Sequence, residues 1–313
     1  MKTILITGAA GFIGSSLAEK LVDSHKIIGI DSFNDYYDPK IKRNNVESLN
    51  KHENFKIYEG DIRDKDLISK IFNDHDISCV IHLAARAGVR PSLEQPSLYM
   101  DVNITGTTNL LEATRLNDIK KFIFASSSSV YGALKKGPFH EEMDITKTKS
   151  QYAASKVAGE VICRTYSSLY DIQTICLRFF TVYGPRQRPD LAINKFANLI
   201  KQGKPIPVYG DGSTQRNYTY IDDIVDGITR CLSYDDEKFE VFNLGGDETV
   251  SLSDLIKVIE DKIGKKAIID RQPEQPGDVP LTHADISKIR NALGYNPSTD
   301  IETGIENFVK SMK

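Results

Sequence analysis

The chain has 313 residues, of which 40% are apolar and 27% charged, and its net charge is −3. This is the composition of an ordinary globular protein with enough material for one large domain or two modest ones. The small net charge argues against nucleic acid or a membrane surface as a partner, and no apolar run approaches the roughly 20 residues of a membrane span.

The N-terminal part of the chain alternates short apolar runs with helical patterns. In chain order these patterns predict strand Lys2–Thr7, helix Gly14–Ser24, strands Lys26–Asp31 and Phe55–Glu59, helix Leu67–Asn73, strand Cys79–Ala84, helix Asn103–Arg115, strand Lys121–Ser126, helix Tyr152–Tyr170 and strand Gln173–Arg178. Alternating strands and helices indicate parallel βαβ units. The predicted fold is therefore α/β, with a Rossmann-type doubly wound parallel sheet.

After Phe180 the chain becomes richer in glycine, proline and loop patterns, as in Tyr183–Asp190 and Gln272–Pro280. We therefore expect residues 1–180 to form the Rossmann domain. Residues 181–313 would mainly form a smaller α/β lobe that binds substrate, and the segments of the two could interleave.

The remaining composition bears on location and metal binding. The N-terminus lacks the pattern of a signal peptide, so the cytoplasm is the expected location. The four cysteines form no CxxC pair and no cluster with histidines, and they are Cys79, Cys163, Cys176 and Cys231. They are expected to be reduced core thiols, with no metal site and no disulfide framework.

A glycine-rich segment, TGAAGFIG at Thr7–Gly14, follows the first predicted strand and opens the first predicted helix. Glycines there permit a tight turn and let the backbone approach a pyrophosphate, whose charge the helix start stabilises. Asp31 ends the next strand, where a carboxylate can bind an adenosine ribose and repel a 2′-phosphate, so NAD is expected rather than NADP. Asp61 follows the third strand and could either face the adenine or cap the next helix.

Tyr152 and Lys156 lie four residues apart in a helical pattern, which places both on one face. A phenol is a poor base at neutral pH, and a nearby ammonium favours its ionised form. The serines Ser126–Ser129 end a predicted strand, at the edge where open α/β sheets bind ligands. A hydroxyl there can hydrogen-bond a reacting oxygen of a substrate, whereas at least two of the four are expected to be loop or capping serines.

The segments TGAAGFIG, HLAA, SSSSVYG, YxxxK and LRFFTVYGPRQRPD together resemble the extended short-chain dehydrogenase/reductase family, specifically its nucleotide-sugar 4-epimerases. The resemblance covers essentially the whole chain. The segments at 31–38, 87–90 and 179–190 resemble the UDP-glucuronate 4-epimerase branch.

The resemblance implies a role for residues along the whole chain. NAD would be held by Gly8, Gly11, Phe12, Ile13, Gly14, Asp31, Asp61, Ile62, Leu83, Ala84, Ala85, Asn103, Tyr152 and Lys156. Tyr152 would be the base, Lys156 its partner, and Ser127 would lie opposite the sugar 4-hydroxyl. The UDP-sugar would contact Ser127, Ser128, Thr181, Arg188, Arg216, Asp278 and Thr282.

Two positions bear on the substrate. Many UDP-glucose 4-epimerases have a second diphosphate arginine where this chain has Gln275, and glucose-restricted members have a tyrosine where it has Thr282. Thr181 and Arg188 could read a C6 carboxylate, or Arg188 could be a loop arginine held by Asp190. UDP-glucuronate, UDP-N-acetylglucosamine and UDP-glucose all remain open as substrates.

The resemblance implies a UDP-sugar 4-epimerase that inverts C4 through a transient 4-keto sugar, and a homodimer. A UDP-sugar dehydratase or decarboxylase is the alternative, but related dehydratases and decarboxylases carry carboxylates just after the position of Ser127, where this chain has serines. A non-catalytic NAD-binding regulator is a more distant alternative, since it has no need of a Tyr/Lys pair.

Overall fold

The computed structural model describes residues 1–132, 134, 136–274 and 279–312. Fourteen strands are found in these residues: β1 (Thr3–Thr7), β2 (Lys26–Asp31), β3 (Phe55–Glu59), β4 (Cys79–His82), β5 (Lys121–Ser127), β6 (Gln173–Phe179), β7 (Thr181–Tyr183), β8 (Pro205–Tyr209), β9 (Gln215–Arg216), β10 (Tyr218–Tyr220), β11 (Phe239–Leu244), β12 (Val250–Ser251), β13 (Ile268–Gln272) and β14 (Leu281–Thr282).

The same residues form twelve α-helices: α1 (Phe12–Leu21), α2 (Pro39–Asn45), α3 (Lys65–Asp74), α4 (Val89–Glu94), α5 (Pro96–Met100), α6 (Gly106–Leu116), α7 (Gln151–Tyr170), α8 (Ala192–Lys201), α9 (Ile221–Cys231), α10 (Leu252–Ile263), α11 (Ser287–Leu293) and α12 (Ile301–Ser311). A π-helical turn spans Asp101–Thr105, and short 3-10 turns span Leu49–Lys51 and Ser128–Tyr131. None of these helices is long and apolar enough to cross a membrane.

The chain divides into two compact units. The first contains residues 1–132, 144–178 and 228–242, and the second contains residues 133–143, 179–227 and 243–313. Each unit therefore consists of three separate segments of the chain.

The first unit is built on a seven-stranded sheet in the order β11-β6-β5-β4-β1-β2-β3. β1 pairs in parallel with β2 on one side and β4 on the other, so the strand order reverses there. Its residues Ile4–Ile6 are almost completely buried, as expected for a strand covered on both faces. In such sheets ligands bind outside the carboxyl ends of the strands at this reversal, which is where β1 and β4 end.

The predicted Rossmann-type sheet is confirmed. Every predicted strand is present, with ends that differ by no more than two residues. The helix expected over Asn103–Arg115 begins within the π-helical turn, and the short helices α2, α4 and α5 were not predicted.

The described residues of the second unit form three small sheets. β10 pairs with β7, β9 pairs with β12 and β14, and β13 pairs with β8. Tyr183 of β7 is almost completely buried, contacts the rings of Tyr218 and Tyr220 edge-on, and donates a hydrogen bond from its hydroxyl to the carbonyl of Asp300. β7 is thereby fixed within its own unit.

Candidate active site

The turn between β1 and α1 requires glycine at two positions. Gly8 has a φ of +70°, and a Cβ there would lie 2.9 Å from the Ala84 nitrogen. A Cβ on Gly14 would lie only 2.1 Å from the Gly8 carbonyl oxygen. Gly11 is the N-cap of α1 and has no side chain to occupy the N–H groups of the first turn. The turn therefore offers a backbone surface and a helix start to an anionic group such as a pyrophosphate.

Asp31 ends β2 beside this turn. Its residue is 8% exposed, and its carboxylate accepts hydrogen bonds from the Ala10 and Phe33 N–H groups at 3.1 and 2.9 Å. Burial raises the pKa of this carboxyl above its usual value, against the hydrogen bond from Phe33 and the charge of Lys42, whose Nζ lies 4.0 Å away. Asp31 is thus a positioned, buried group rather than a surface aspartate.

Asp61 does not cap α3, because the N-cap is Asp64, whose carboxylate accepts from the N–H groups of Asp66 and Leu67. The Asp61 carboxylate instead accepts hydrogen bonds from the backbone and guanidinium of Arg63, which lower its pKa. Ile62 beside it is buried against Gly106, where a Cβ would lie 2.4 Å from its Cδ1.

The segment Leu83–Ala85 follows β4 and is tied to β1. The N–H of Leu83 donates to the carbonyl of Thr7, and the N–H of Ala84 donates to the Thr7 hydroxyl oxygen. This segment therefore lies against the glycine turn, at the position where the family resemblance places the cofactor.

A buried chain of hydrogen bonds runs behind that segment. Thr107 donates its hydroxyl proton to the carbonyl of Asn103 at 2.5 Å, so its oxygen must accept from His82 Nε2, 2.9 Å away. His82 Nδ1 is then an acceptor for the hydroxyl of Thr7, 2.7 Å away. The ring is neutral in this arrangement, and complete burial, together with the charge of Lys156, lowers its pKa to about 3.

Asn103 lies in the π-helical turn and is buried. Its amide oxygen accepts from the Arg86 N–H, and its amide nitrogen donates to the Arg86 carbonyl and to the Ser155 hydroxyl. These bonds connect the loop after β4 to α7, the helix that carries Tyr152.

Tyr152 and Lys156 lie on one face of α7, as their spacing predicts. The Lys156 Nζ lies 6.0 Å from the centroid of the Tyr152 ring and donates a 2.7 Å hydrogen bond to the carbonyl of Ala125 on β5. Ser150 caps the helix start by accepting from the Ala153 N–H. The buried ring of Tyr99 contacts Tyr152 edge-on, with 6.3 Å between centroids.

Lys156 is 3% exposed, and burial lowers the pKa of its ammonium to about 8. The group is therefore mostly charged at neutral pH. A cation at this distance favours the ionised form of a neighbouring phenol, as acid–base work by Tyr152 requires.

Ser127 ends β5 and begins the segment Ser127–Gly132, which we call the serine turn. The Ser127 hydroxyl oxygen accepts from the Ser129 N–H at 3.2 Å, and Ser128 begins the 3-10 turn. Gly132 ends the segment with a φ of +61°, and a Cβ there would lie 2.1 Å from the Lys147 carbonyl oxygen. The turn is thus closely packed against the segment that leads into α7.

In the second unit, Thr181 begins β7 and pairs with Tyr218 of β10. Arg188 lies in the loop that follows. Its guanidinium binds the Asp190 carboxylate through two hydrogen bonds of 3.0 and 2.7 Å, which is the alternative that the sequence left open for this arginine.

Arg216 and Thr282 are register partners on β9 and β14 of the same unit. The Thr282 hydroxyl oxygen is buried and has no hydrogen-bond partner among the described residues. Asp278 and Gln275 lie outside the described residues. Within the described residues, no group of three or more His, Cys, Asp or Glu side chains is placed to hold a metal ion.

Several side chains that support these groups were not predicted from the sequence. Tyr36 and Tyr99 both donate from their hydroxyls to the Ala87 carbonyl, and Glu160 and Arg178 form an ion pair beside the serine turn. Tyr36 and Arg178 lie in segments that carry the family resemblance, and Glu160 lies one helical turn after Lys156, whereas no sequence signal marked Tyr99.

Comparison with known proteins identifies close relatives. UDP-glucuronate 4-epimerase of Thermodesulfobacterium geofontis is 43% identical over 311 residues, covering 99% of this chain and 95% of that protein. The crystal structure of UDP-glucuronic acid 4-epimerase from Bacillus cereus in complex with UDP-glucuronic acid and NAD is 38% identical with a TM-score of 0.92, covering 99% of this chain and 98% of that one.

A third relative is named for a different UDP-sugar. UDP-N-acetylglucosamine 4-epimerase from Methanobrevibacter ruminantium M1, solved in complex with UDP-N-acetylmuramic acid, is 32% identical with a TM-score of 0.90, and 99% of this chain and 97% of that one are covered. The family described as GDP-mannose 4,6 dehydratase matches residues 5–308. The chain belongs to this family of α/β proteins.

Proposed function

We propose that this protein is an NAD-dependent UDP-sugar 4-epimerase and that UDP-glucuronate is its substrate. The observation that carries the proposal is the pair on α7: Tyr152 lies half-buried beside the buried ammonium of Lys156, in the same unit as the glycine turn. A purely NAD-binding regulator would have no use for this pair.

The residues of the first unit fit a dinucleotide. Gly8 and Gly14 leave no space for a Cβ where a backbone surface must stay open, and the buried Asp31 carboxylate is held by two N–H groups beside them. NAD would lie against these residues and against Leu83–Ala85, and when bound it would accept hydride from the sugar C4 and return it. Asp31 favours NAD over NADP because its charge would repel a 2′-phosphate.

The protein's own part in the reaction is proton transfer and orientation. Tyr152, ionised with the support of Lys156, takes the proton of the sugar 4-hydroxyl and later returns a proton to the same oxygen. Ser127 hydrogen-bonds that oxygen from the end of β5. Inversion follows when the 4-keto sugar presents its other face before reduction.

The family includes dehydratases, but the serine turn favours epimerisation. Elimination of water needs an additional acid or base, and the two residues after Ser127 are Ser128 and Ser129, which carry no carboxylate.

UDP-glucuronate is favoured by the relatives that act on it and by Thr181 and Arg188. We propose that these two residues bind the C6 carboxylate, with Arg188 exchanging Asp190 for the substrate, and that Arg216 binds the diphosphate. Asp278 is proposed to bind the uridine ribose.

The experiment is product analysis. Purified protein is incubated separately with UDP-glucuronate, UDP-N-acetylglucosamine and UDP-glucose, and the C4 epimers are separated by chromatography and identified by NMR. UDP-galacturonate as the fastest product supports the proposal. Faster turnover of another sugar would contradict the substrate, and a 4-keto-6-deoxy or decarboxylated product would contradict the reaction.

We further propose a homodimer in the cytoplasm. Leu116 of α6 and Val161 and Leu169 of α7, two helices that contact each other, are 65%, 59% and 64% exposed, and we propose that a partner subunit covers them. By contrast, Ile162 of α7 packs against the core of its own unit.

A further inference from the structure

A buried ion pair lies beside the serine turn and has no part in the chemistry proposed above. Arg178 of β6 and Glu160 of α7 form two hydrogen bonds of 2.9 and 2.8 Å, and their side chains are only 4% and 5% exposed. Removing two charges from water is costly, and an apolar pair of similar volume is often as stable. General stability is therefore a weak explanation for this pair.

Two further hydrogen bonds of the pair reach the two ends of the serine turn, one at Ser126, the residue immediately before it, and one at Tyr131, its penultimate residue. At the first end, the Ser126 hydroxyl donates a 2.5 Å hydrogen bond to Glu160 Oε1. At the other end, Arg178 Nη1 donates a 3.0 Å hydrogen bond to the Tyr131 hydroxyl, and the guanidinium lies 5.0 Å from the centroid of that ring. Ser126 and Tyr131 are both 2% exposed, so water does not compete for these bonds.

The strand end is attached to α7 at two successive residues. Lys156 donates to the carbonyl of Ala125, and Glu160, one helical turn later, accepts from the hydroxyl of Ser126. The next residue is Ser127. Its distance from Tyr152 is therefore set by two hydrogen bonds that end on the same helix as Tyr152 itself.

We infer that Glu160 and Arg178 are positioning residues that hold the serine turn, and with it Ser127, at a fixed place relative to Tyr152. This inference rests on the proposed function. In the proposed reaction the sugar 4-oxygen lies between the hydroxyls of Tyr152 and Ser127. A displacement of one of these groups by about 1 Å can lower the rate by on the order of 100-fold.

The test uses two uncharged substitutions that leave the ion pair in place. Ser126→Ala removes the bond at the first end, and Tyr131→Phe removes the bond at the other. Ser167→Ala is the matched control. Ser167 is a buried serine of α7, the helix that carries Glu160, and its hydroxyl donates to the Lys238 carbonyl, away from the serine turn. For each protein we would measure kcat, KM, Tm, bound NAD and the deuterium isotope effect on kcat with C4-deuterated substrate.

We expect Ser126→Ala to lower kcat about tenfold and Tyr131→Phe severalfold, with KM and bound NAD within twofold of wild type. The isotope effect should be at least as large as in wild type, because a slower hydride transfer limits kcat at least as strongly. Ser167→Ala, which also loses one buried hydrogen bond, should lower Tm by about as much as Ser126→Ala does, but it should leave kcat unchanged.

Two results would overturn the inference. One is a kcat in both variants that stays within twofold of wild type per NAD-loaded protein. The other is a lower kcat with a smaller isotope effect, since a step other than hydride transfer would then be slowed. Wild-type protein that epimerises no UDP-sugar would instead refute the proposed function, so the two failures are distinguishable.

Discussion

The Lys156 ammonium lies 6.0 Å from the centroid of the Tyr152 ring, one helical turn further along α7. The Tyr152→Phe variant keeps the ring and its edge-on contact with Tyr99 but has no hydroxyl to take a proton. We expect kcat to fall by about 100- to 10,000-fold while UDP-sugar and NAD binding stay largely intact. Calorimetric titration and product assays check this. Tyr166→Phe is the control. It removes another tyrosine hydroxyl of α7, one that donates a hydrogen bond to Glu112. A residual rate above about a tenth of wild type would show that Tyr152 is not the base.

Cofactor selectivity is expected to depend on Asp31. The purified protein should carry NAD without supplementation, which an enzymatic assay of the supernatant after denaturation detects. In Asp31→Ser, NAD would lose the charge-assisted hydrogen bonds from its adenosine ribose hydroxyls to the Asp31 carboxylate. This loss should weaken NAD binding on the order of tenfold or more. NADP should gain relative to NAD, because the repelling carboxylate is gone and Lys42 remains close to the site. A wild-type preference for NADP would refute the role of Asp31.

His82 should make the protein sensitive to acid. Its pKa is about 3 in the folded protein and near 6.5 when unfolded, so between these values the unfolded chain binds a proton that the folded one does not. The free energy of unfolding should therefore decrease as the pH falls from about 6.5 toward 3, by up to about 1.4 kcal/mol per pH unit from this group. Urea unfolding at several pH values measures the slope. His82→Gln should flatten the slope more than His75→Gln, because the His75 ring is less buried. Equal slopes in wild type and His82→Gln would refute the neutral ring.

Thr282 is expected to leave space for a substituent at the sugar C2. Thr282→Tyr should lower activity on UDP-N-acetylglucosamine about 10- to 100-fold more than activity on UDP-glucose, because a packed wall does not yield to a phenol ring. Parallel kinetics on the two sugars give the answer. Equal loss on both, or no effect on either, would show that Thr282 does not set the size limit.

The proposed dimer can be tested on the exposed face of α7. Val161→Glu places a charge at a position that is 59% exposed, so the fold of one subunit should be unaffected. Light scattering should show a dimer for wild type at micromolar concentration and a monomer for the variant. A monomeric wild type would contradict the proposal.

The sequence predicted local features well because each has a local physical cause. The glycine turn follows from the backbone space needed at Gly8 and Gly14, and the Tyr152–Lys156 pair follows from helix geometry. The helices α4 and α5 were missed because they are only six and five residues long. In addition, α4 contains a proline in its interior and α5 begins with one. The ion pair of Glu160 and Arg178 joins a helix to a strand, and no spacing along the chain reveals such a contact.

The segment Ile228–Phe242 has a consequence for how the protein is made. It supplies most of β11, which pairs beside β6 at one end of the seven-stranded sheet. During synthesis, β6 has no neighbour on that side until the ribosome has added about sixty more residues. A chain that stops at residue 180 would keep that open edge permanently and should aggregate through it. Although the strands beside the glycine turn are encoded first, the Rossmann sheet is therefore completed only after much of the second unit has been translated.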